Sequence, residues 1–268
     1  MFLENLERKA IIIYGTGHVA RKFYRALGKY HLQSQVQCFV RTEAVRSGEQ
    51  FEGVTVYSFN DVPIDKDTLV CLAIHESIRD EIEPVVKKVT GQYIWIYPYL
   101  YELMLGKPEQ KNVEVAVTKL LEGFQKDLRL GVRLAAIEQQ DKKNDYGFDY
   151  YVRAQMLHCD RETARHRLEQ LLRLIARWKK VGYEENRVLT LNRNYGVIDG
   201  NHRLAMAVYM GQERMFADIY PTNLSVEDIH GREPMLSKEL LLERGFTPEA
   251  VQKLEKIQKR YVDVYEIE

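Results

Sequence analysis

The sequence predicts a mixed α/β protein with an N-terminal parallel-sheet domain (residues 1–106), a helical connector (107–147) and a C-terminal α+β domain (148–268). Three observations predict this fold class. In residues 1–106, short apolar runs alternate with amphipathic stretches. In residues 107–147, apolar residues recur every three or four positions. Residues 148–268 combine short strand-like runs with capped helices. Apolar strands separated by helices are typical of parallel sheets that are covered on both faces.

The N-terminal domain begins with KAIIIYGTG, a short apolar strand that ends in glycines, and HVARKFYRALGKY follows it with helical spacing. The runs VQCFV, TLVCLAIH and GQYIWIYPYL predict three further strands, and SIRDEIEPVVKK predicts an amphipathic helix between the last two. We expect the domain to end between Tyr101 and Gly106.

The connector carries NVEVAVTKLLEGFQKDLRLGVRLAAIEQQ, whose apolar spacing predicts helix, and the charged loop DKKNDYG follows it. The C-terminal domain then has a long helix that Asp160 caps and Gly182 ends. RVLTLN and YGVIDG predict two strands joined by a hairpin-like connection, HRLAMAVYMG predicts a helix, and RMFADIYP predicts a strand. A helical tail follows, in which Thr247 caps the last helix.

Composition and charge narrow the class of protein. Hydrophobic residues make up 45% and charged residues 29%, which is typical of globular proteins and argues against disorder. The 39 basic and 39 acidic residues cancel, so a general nucleic-acid binder, which needs a basic excess, is disfavoured. The cysteines show no CxxC spacing that would indicate a zinc site or a disulfide framework.

The distribution of apolar residues bears on localisation. No stretch approaches the roughly 20 apolar residues that span a bilayer, and charges stand too close to the N-terminus for a signal peptide. We therefore expect a cytoplasmic protein without a membrane span. The sequence leaves the oligomeric state open, a homo-oligomer included.

The stretch YGTGHVA places the pattern G-x-G-x-x-A between a strand and a helix, the context of a dinucleotide-binding turn. Gly15 would allow the tight turn, Gly17 would let a phosphate approach the backbone, and the helix N-terminus would supply amide donors. The alternative is a glycine turn that serves packing only.

Arg41 follows the second strand, where NAD-binding domains carry the acid that binds the ribose. The missing acid argues against NAD, although an arginine at this position can meet the 2′-phosphate of NADP or remain solvated. The sequence also offers no recognisable catalytic partner for an NAD(P)-dependent oxidoreductase.

Residues 8–105, with YGTG, VQCFV and FEGVTVYSFNDVP, resemble the small Rossmann-like modules of bacterial sugar-modifying and capsule-biosynthesis proteins. This resemblance implies a nucleotide or a nucleotide-sugar as the ligand. The candidate binding residues of this domain are Gly15, Thr16, Gly17, His18 and Arg41.

The second candidate site is DGNHR, residues 199–203, between the strand YGVIDG and a helix. A turn that opens a helix offers backbone amides to a phosphate, Arg203 can add a bidentate contact, and His202 can add a shorter donor. Asp199 repels phosphate, so it fits a Mg²⁺ ligand or the base that takes a hydroxyl proton. The alternative is structural: Asp199 as a turn residue, His202 as a core or cap histidine, and Arg203 as the partner of Asp199.

The order of elements over residues 168–220 is helix, glycine, strand, hairpin, D-G-x-H-R, helix and strand, and it resembles the ParB/sulfiredoxin fold. Members of that fold bind nucleotide phosphates at this turn: partition proteins use CTP, sulfiredoxins use ATP, and free-serine kinases are a third branch. Asn201 stands where sulfiredoxins carry cysteine, and partition proteins carry E-R-R. DGNHR is most similar to the D-G-H-H-R of the serine kinases.

The serine-kinase resemblance also implies roles for individual residues. Glu185 in VGYEENRVL would act on the substrate hydroxyl, with Glu184 as the neighbour that a one-residue shift would select. Asp199 would be the second acid and a metal ligand. The residues that would hold the nucleotide phosphate are Gly200, Asn201, His202 and Arg203.

The sequence therefore predicts a nucleotide-dependent phosphotransferase that uses ATP or ADP with Mg²⁺ on a hydroxyl of an amino acid, polyol or sugar. The small Rossmann-like partner domain suggests surface-polysaccharide metabolism by analogy. The alternatives are a nucleotide-binding regulatory protein without catalysis and, less favoured because the charge is balanced, a ParB-like CTP-binding protein associated with DNA.

Overall fold

The computed structural model describes residues 2–7, 9–183, 188–230 and 235–265. The chain forms two compact units, Met1–Lys107 and Pro108–Glu268. Each unit contains helices around its own sheet, as the sequence predicts for a mixed α/β protein. The boundary lies within one residue of the predicted end of the first domain.

The described residues of the first unit form six strands and four helices. The strands are β1 (Ala10–Tyr14), β2 (Val36–Arg41), β3 (Gln50–Phe51), β4 (Val54–Ser58), β5 (Thr68–Leu72) and β6 (Tyr93–Trp95). The helices are α1 (Phe2–Glu7), α2 (His18–Gly28), α3 (Arg79–Lys87) and α4 (Leu100–Leu105). Short 3₁₀ segments cover Gln33–Gln35, Phe59–Asp61, Glu76–Ile78 and Tyr97–Tyr99.

The sheet of the first unit has the strand order β3-β4-β2-β1-β5-β6. Every neighbouring pair is parallel except β3 and β4, which are antiparallel. The strand order reverses direction between β1 and β5, and the carboxyl ends of strands at such a reversal are where open α/β sheets bind ligands. The turn at Gly15 begins directly after β1.

The central strand β1 is buried on both faces of the sheet, which explains its uninterrupted run of apolar residues. Ile11 and Ile13 pack into one hydrophobic cluster together with Phe23 of α2, whereas Ile12 packs on the other face together with Val86 of α3. Successive side chains of a strand point to opposite faces, so a sheet with helices on both faces needs apolar residues at every position. The predicted parallel sheet is confirmed.

The second unit contains four strands and eight helices within its described residues. The strands are β7 (Gln110–Ala116), β8 (Leu189–Leu191), β9 (Val197–Asp199) and β10 (Arg214–Ile219). The helices are α5 (Val117–Leu121), α6 (Arg129–Gln140), α7 (Gly147–Gln155), α8 (Arg161–Val181), α9 (Asn201–Tyr209), α10 (Val226–His230), α11 (Lys238–Glu243) and α12 (Pro248–Val262). Two 3₁₀ segments cover Glu122–Phe124 and Asp263–Tyr265.

The sheet of the second unit has the order β7-β10-β8-β9. The pair β10 and β8 is parallel, and the other two pairs are antiparallel. The predicted sequence of long helix, two short strands, helix and strand is therefore present as α8, β8, β9, α9 and β10. The long helix has the predicted cap, because Asp160 accepts a hydrogen bond from the Thr163 amide at 2.8 Å.

The predicted helical connector over residues 107–147 is corrected by the structure. Its first part is the strand β7, in which Val115 pairs with Met215 of β10 and both side chains are buried. In β7 the valines of NVEVA alternate with exposed residues, which is the period of a strand, and the helical prediction overlooked this alternation. Almost all of residues 107–147 belong to the second unit and supply part of its core.

Helix α6 occupies the centre of the second unit. Its buried residues run from Leu130 to Glu138 without a break, so α6 is surrounded by other elements instead of presenting one apolar stripe. Close approach of α7 depends on Gly147, because a Cβ at this position would lie 2.0 Å from the carbonyl oxygen of Ala135. Gly147 was predicted only as the end of a loop.

Buried charge joins α6 to the last helix. The Glu138 carboxylate is 2% exposed and accepts hydrogen bonds from Arg260 and Tyr261 of α12, both at 2.9 Å. A buried carboxylate is tolerated only with such partners. Burial and the hydrogen bond to Glu138 raise the pKa of Tyr261, so its hydroxyl stays a donor at neutral pH.

Within the part of the chain that is described, no helix combines the length and the apolar character that crossing a membrane requires.

We predict that Gly147→Ala destabilises the protein because the new methyl group would collide with the backbone of α6. The free energy of unfolding, measured by urea denaturation, should fall by about 3 kcal/mol, the range for an overpacked core. Gly123→Ala is the matched control, since a Cβ there meets no atom within 4 Å. Equal stability of the two variants would contradict the close packing of α6 and α7.

Candidate functional site

The DGNHR segment lies where β9 ends and α9 begins. Asp199 is the last residue of β9 and pairs with Thr190 of β8, and Asn201 is the first residue of α9. Gly200 joins them in the left-handed region, with φ of 105°. A Cβ on Gly200 would lie 2.4 Å from Cδ2 of the buried Leu189. Both backbone conformation and packing therefore require glycine at this turn.

Arg203 folds back over this turn. One of its terminal nitrogens donates a hydrogen bond to Oδ2 of Asp199 at 3.2 Å, and the side chain of Arg203 is 10% exposed. The Nε and one terminal nitrogen lie 3.2 Å from the position that a Cβ of Gly200 would occupy. A buried guanidinium is thus fixed against the backbone of the turn, and Asp199 is one of its partners, as the structural alternative expects.

His202 is held by a residue that the sequence did not single out. Its Nε2 shares a 2.7 Å hydrogen bond with the hydroxyl of Tyr151, a fully buried residue of α7. The same hydroxyl donates to the carbonyl oxygen of Arg167 at 3.4 Å. Both bonds form together when Nε2 carries the proton, because the hydroxyl then accepts from His202 and donates to Arg167. These two hydrogen bonds of Tyr151 therefore fix the orientation of the His202 ring.

Arg167 extends this network between α7 and α8. Its guanidinium lies 2.6 Å from the amide oxygen of Gln155 and 2.8 Å from Nε2 of His158. Gln155 is buried. The helices that support His202 are therefore fixed to one another by polar contacts as well as by packing. No sequence motif marks Tyr151 or Arg167 as part of a site. Only the tertiary fold brings them close to His202.

Asn201 has a side chain without a hydrogen bond to any described residue, and its Oδ1 is buried. The other acid assigned to this site, Glu185, lies outside the described residues, as does its neighbour Glu184. Among the described side chains, no group of three or more His, Cys, Asp or Glu is placed to hold a metal ion. A cation at this turn would therefore need oxygens from a ligand in addition to Asp199.

The glycine turn of the first unit has the predicted position between β1 and α2. Gly15 adopts φ of 115°, and a Cβ there would lie 3.0 Å from the carbonyl oxygen of Ala73 at the end of β5. Gly17 precedes α2 in an extended conformation, and a Cβ there would meet no atom within 4 Å. Packing thus explains Gly15 but gives no reason for glycine at position 17. Thr16 stands between the two glycines, and His18 is the first residue of α2.

Arg41 does not have the environment of a solvated arginine. Its guanidinium forms a two-pronged ion pair with Glu49, with nitrogen-to-oxygen distances of 2.8 and 2.9 Å, and it also donates to the carbonyl oxygen of Ala44 at 3.1 Å. The positive charge is therefore largely balanced within the protein. A contact with a ligand phosphate would have to compete with Glu49.

Three ring-bearing side chains from the β5 and β6 side of the sheet lie near the glycine turn, where the strand order reverses: His75, Trp95 and Tyr97. The ring of His75, which follows β5, lies 6.4 Å from the ring of His18 and 4.9 Å from the ring of Tyr97. Tyr97 in turn stacks with Trp95 at 5.9 Å. His75 was not predicted as a site residue, because its proximity to the glycine turn depends on the strand order.

A cleft of about 510 Å³ in the first unit lies between β4 and the segment that follows β2. Residues 44–48, residues 55–58 and Asp61 line it. Neither of the two candidate turns contributes to its lining.

Comparison of the chain with protein-family models, curated proteins and solved structures finds no match.

We predict that Gly200→Ala destabilises the protein more than Gly211→Ala. Both glycines have positive φ, so each alanine costs about 1–2 kcal/mol of backbone strain. Only the methyl group at position 200 also collides with Leu189, which should cost a further 1–3 kcal/mol. Urea denaturation of both variants measures the difference. Identical losses would show that the turn accommodates a side chain.

Proposed function

We propose that the turn at residues 199–203 binds the phosphates of a nucleotide and that the protein is a nucleotide-dependent phosphotransferase acting on a hydroxyl group. The observation that carries the proposal is the buried guanidinium of Arg203, which lies against the backbone of Gly200 at the start of a helix. A fixed arginine beside helix N-terminal amides is an arrangement suited to a phosphate.

The start of α9 adds to this support. Helices α8, α11 and α12 begin with side-chain caps, in which Asp160, Ser237 and Thr247 each accept a backbone hydrogen bond, whereas α5, α6 and α7 begin without one. Helix α9 begins at Gly200, which has no side chain to cap it. The first amides of a helix need acceptors, and a phosphate oxygen is an acceptor that the helix dipole favours.

The order of elements also supports the proposal. The succession α8, β8, β9, α9 and β10 agrees with the resemblance of residues 168–220 to the ParB/sulfiredoxin fold. In the first unit, the reversal of strand order beside Gly15 agrees with a Rossmann-like module. We propose a nucleotide or nucleotide-sugar as its ligand, with Gly17 and His18 nearer to that ligand than Arg41, because Glu49 already neutralises Arg41.

The roles we propose follow the chemistry of each group. Arg203 neutralises phosphate charge, and His202 in its doubly protonated form donates to phosphate through Nδ1, since its Nε2 is bound to Tyr151. Asp199 binds the Mg²⁺ that accompanies ATP or ADP, and Glu185 takes the proton of the substrate hydroxyl. The terminal phosphoryl group then passes from ATP or ADP to that hydroxyl oxygen, the terminal phosphoanhydride bond breaks, and ADP or AMP leaves. Positioning and charge neutralisation account for most of the rate enhancement.

A nucleotide-binding regulatory protein without catalysis is the second candidate, and one observation favours it. Asp199 already accepts a hydrogen bond from Arg203, so part of its carboxylate is occupied within the protein. Under this alternative, nucleotide binds and no phosphoryl transfer follows. A DNA-associated CTP-binding protein is less favoured, because the balanced charge provides no general attraction to DNA.

We predict that a nucleotide raises the melting temperature of the full chain and that Arg203→Ala removes this effect. ATP, ADP and CTP with Mg²⁺ are the ligands, and saturation at 100 times Kd stabilises a protein by about 2.7 kcal/mol. Losing the charge-assisted contact should weaken binding about ten- to a hundred-fold, by calorimetry. Arg214→Ala, which removes an exposed arginine of the same unit, is the matched control.

Turnover separates the two candidate functions. With serine, threonine, glycerol and sugar alcohols as acceptors, the phosphotransferase consumes ATP or ADP, and Asp199→Asn abolishes this consumption while it leaves some nucleotide binding. Binding without consumption across the panel would favour the regulatory protein. A melting temperature that no nucleotide changes would contradict both.

A further inference from the structure

We propose that the cleft of the first unit, between β4 and residues 44–48, binds an uncharged sugar. Its volume of about 510 Å³ lies in the range of about 300–1,000 Å³ that is typical of small-molecule sites. The cleft belongs to the first unit, so the proposal does not depend on nucleotide binding at residues 199–203.

The cleft forms where the edge of the sheet is only partly covered. Strand β3 has two residues and pairs only with Val54 and Thr55 of β4. The segment of β4 from Thr55 to Ser58 borders the cleft, and residues 44–48, which follow β2, border it on the other side. The shortness of β3 therefore leaves the space that the cleft occupies.

The loop of residues 44–48 is held in place by the ion pair of Arg41 and Glu49. The Arg41 guanidinium donates to the carbonyl oxygen of Ala44 at 3.1 Å as well as to Glu49. The Glu49 carboxylate also accepts from the Arg46 amide at 3.2 Å, and the Glu49 carbonyl accepts from the Val56 amide of β4 at 2.9 Å. Both ends of the loop are thus tied to the sheet, which is the preorganisation that a small-molecule site requires.

The polar side chains along the cleft suit a ligand with many hydroxyl groups. Four carry a hydroxyl, one a guanidinium and one a carboxylate, and within the described part of the chain none of these side chains forms a hydrogen bond: Ser47, Thr55, Tyr57, Ser58, Arg46 and Asp61. A hydroxyl donates and accepts, a guanidinium only donates and a carboxylate only accepts. A sugar hydroxyl can pair with every one of these groups, because it is donor and acceptor at once.

The charges in the cleft disfavour other classes of ligand. Arg46 and Asp61 are both exposed and both line the cleft, so their charges cancel. An anion would meet the carboxylate of Asp61, and a metal ion or an amine would meet the guanidinium of Arg46. An apolar ligand would remove both charged groups from water without giving them a partner. An uncharged polar ligand avoids all three costs.

Tyr57 supplies an apolar surface in the same cleft. It is 47% exposed, and Val45, which is half-buried, also lines the cleft. Tyrosine combines a large apolar ring with a hydroxyl group, so it can contact a ligand that is apolar on one side and polar on the other. A sugar ring is such a ligand, since its C–H groups form an apolar face and its hydroxyl groups project around the edge.

The test is saturation-transfer NMR of the full chain with glucose, galactose, mannose and N-acetylglucosamine, followed by ¹⁵N NMR to locate the site. We expect at least one of these sugars to bind and to shift the amide signals of residues 44–48 and 55–58. Tyr57→Ala and Asp61→Asn should each weaken binding about ten-fold, through loss of the ring contact and of a charge-assisted hydrogen bond.

Matched variants and ligands accompany this test. Tyr57→Phe keeps the ring and should retain most of the affinity. Tyr99→Ala removes an exposed tyrosine of the same unit that does not line the cleft, and it should leave the affinity unchanged. Glucuronic acid should bind more weakly than glucose, because its carboxylate is repelled by Asp61. Urea denaturation checks that each variant is folded.

UDP and UDP-glucose distinguish a free sugar from one that a nucleotide carries. Binding of glucose that UDP does not improve indicates a free sugar. UDP-glucose that binds more tightly than UDP, with the difference lost in Tyr57→Ala, indicates a sugar carried by a nucleotide. Both results support the proposal.

The proposal is overturned if no sugar binds, free or as UDP-glucose, or if binding is unchanged in both Tyr57→Ala and Asp61→Asn. Amide shifts confined to residues outside the cleft also contradict it. If UDP shifts the cleft signals as much as UDP-glucose does, the cleft binds a nucleoside instead of a sugar. A chain that binds sugar in the cleft but shows no response to ATP, ADP or CTP would contradict the proposed function alone.

Discussion

The candidate site depends on one constraint, the contact of Gly200 with Leu189. Strand β9 must turn at once into helix α9, and the buried Leu189 leaves no room for a side chain at that turn. The left-handed conformation of Gly200 satisfies both demands. Because the turn is tight, Arg203 lies one helical turn after Asp199 and close enough to bond with it. The arrangement of acid, amides and guanidinium therefore follows from packing between β8 and the turn.

Hydrogen bonds from side chains of α7 and α8 also stabilise this arrangement. Tyr151 orients His202, and Arg167 joins the helices on which these contacts depend. Tyr151 is buried and Arg167 is half-buried, so removing either would leave polar groups of this network without a partner. The turn is thus held by helices that polar contacts join to one another, which is the preorganisation that the proposed charge neutralisation requires.

Local pattern was sufficient to predict much of the fold. The apolar run of β1, the capped helix α8 and the strand-turn-helix at residues 197–209 were all predicted, because each depends on residues close in sequence. The helical connector was wrong where a strand alternation was taken for helical spacing. Tertiary neighbours such as Tyr151 and His75 could not be predicted, since their roles arise from strand order and helix packing. The same limit applies to Arg41, whose partner Glu49 is identified only by the fold.

The most direct measurement of the central claim is the response of backbone amides to ADP, followed by ¹⁵N NMR of the full chain with Mg²⁺. A phosphate at the start of α9 accepts hydrogen bonds from these amides. The account predicts that the amide signals of residues 200–203 move downfield and saturate with ADP. Shifts confined to the first unit, or no shift at saturating ADP, would contradict the claim that this turn binds the nucleotide phosphates.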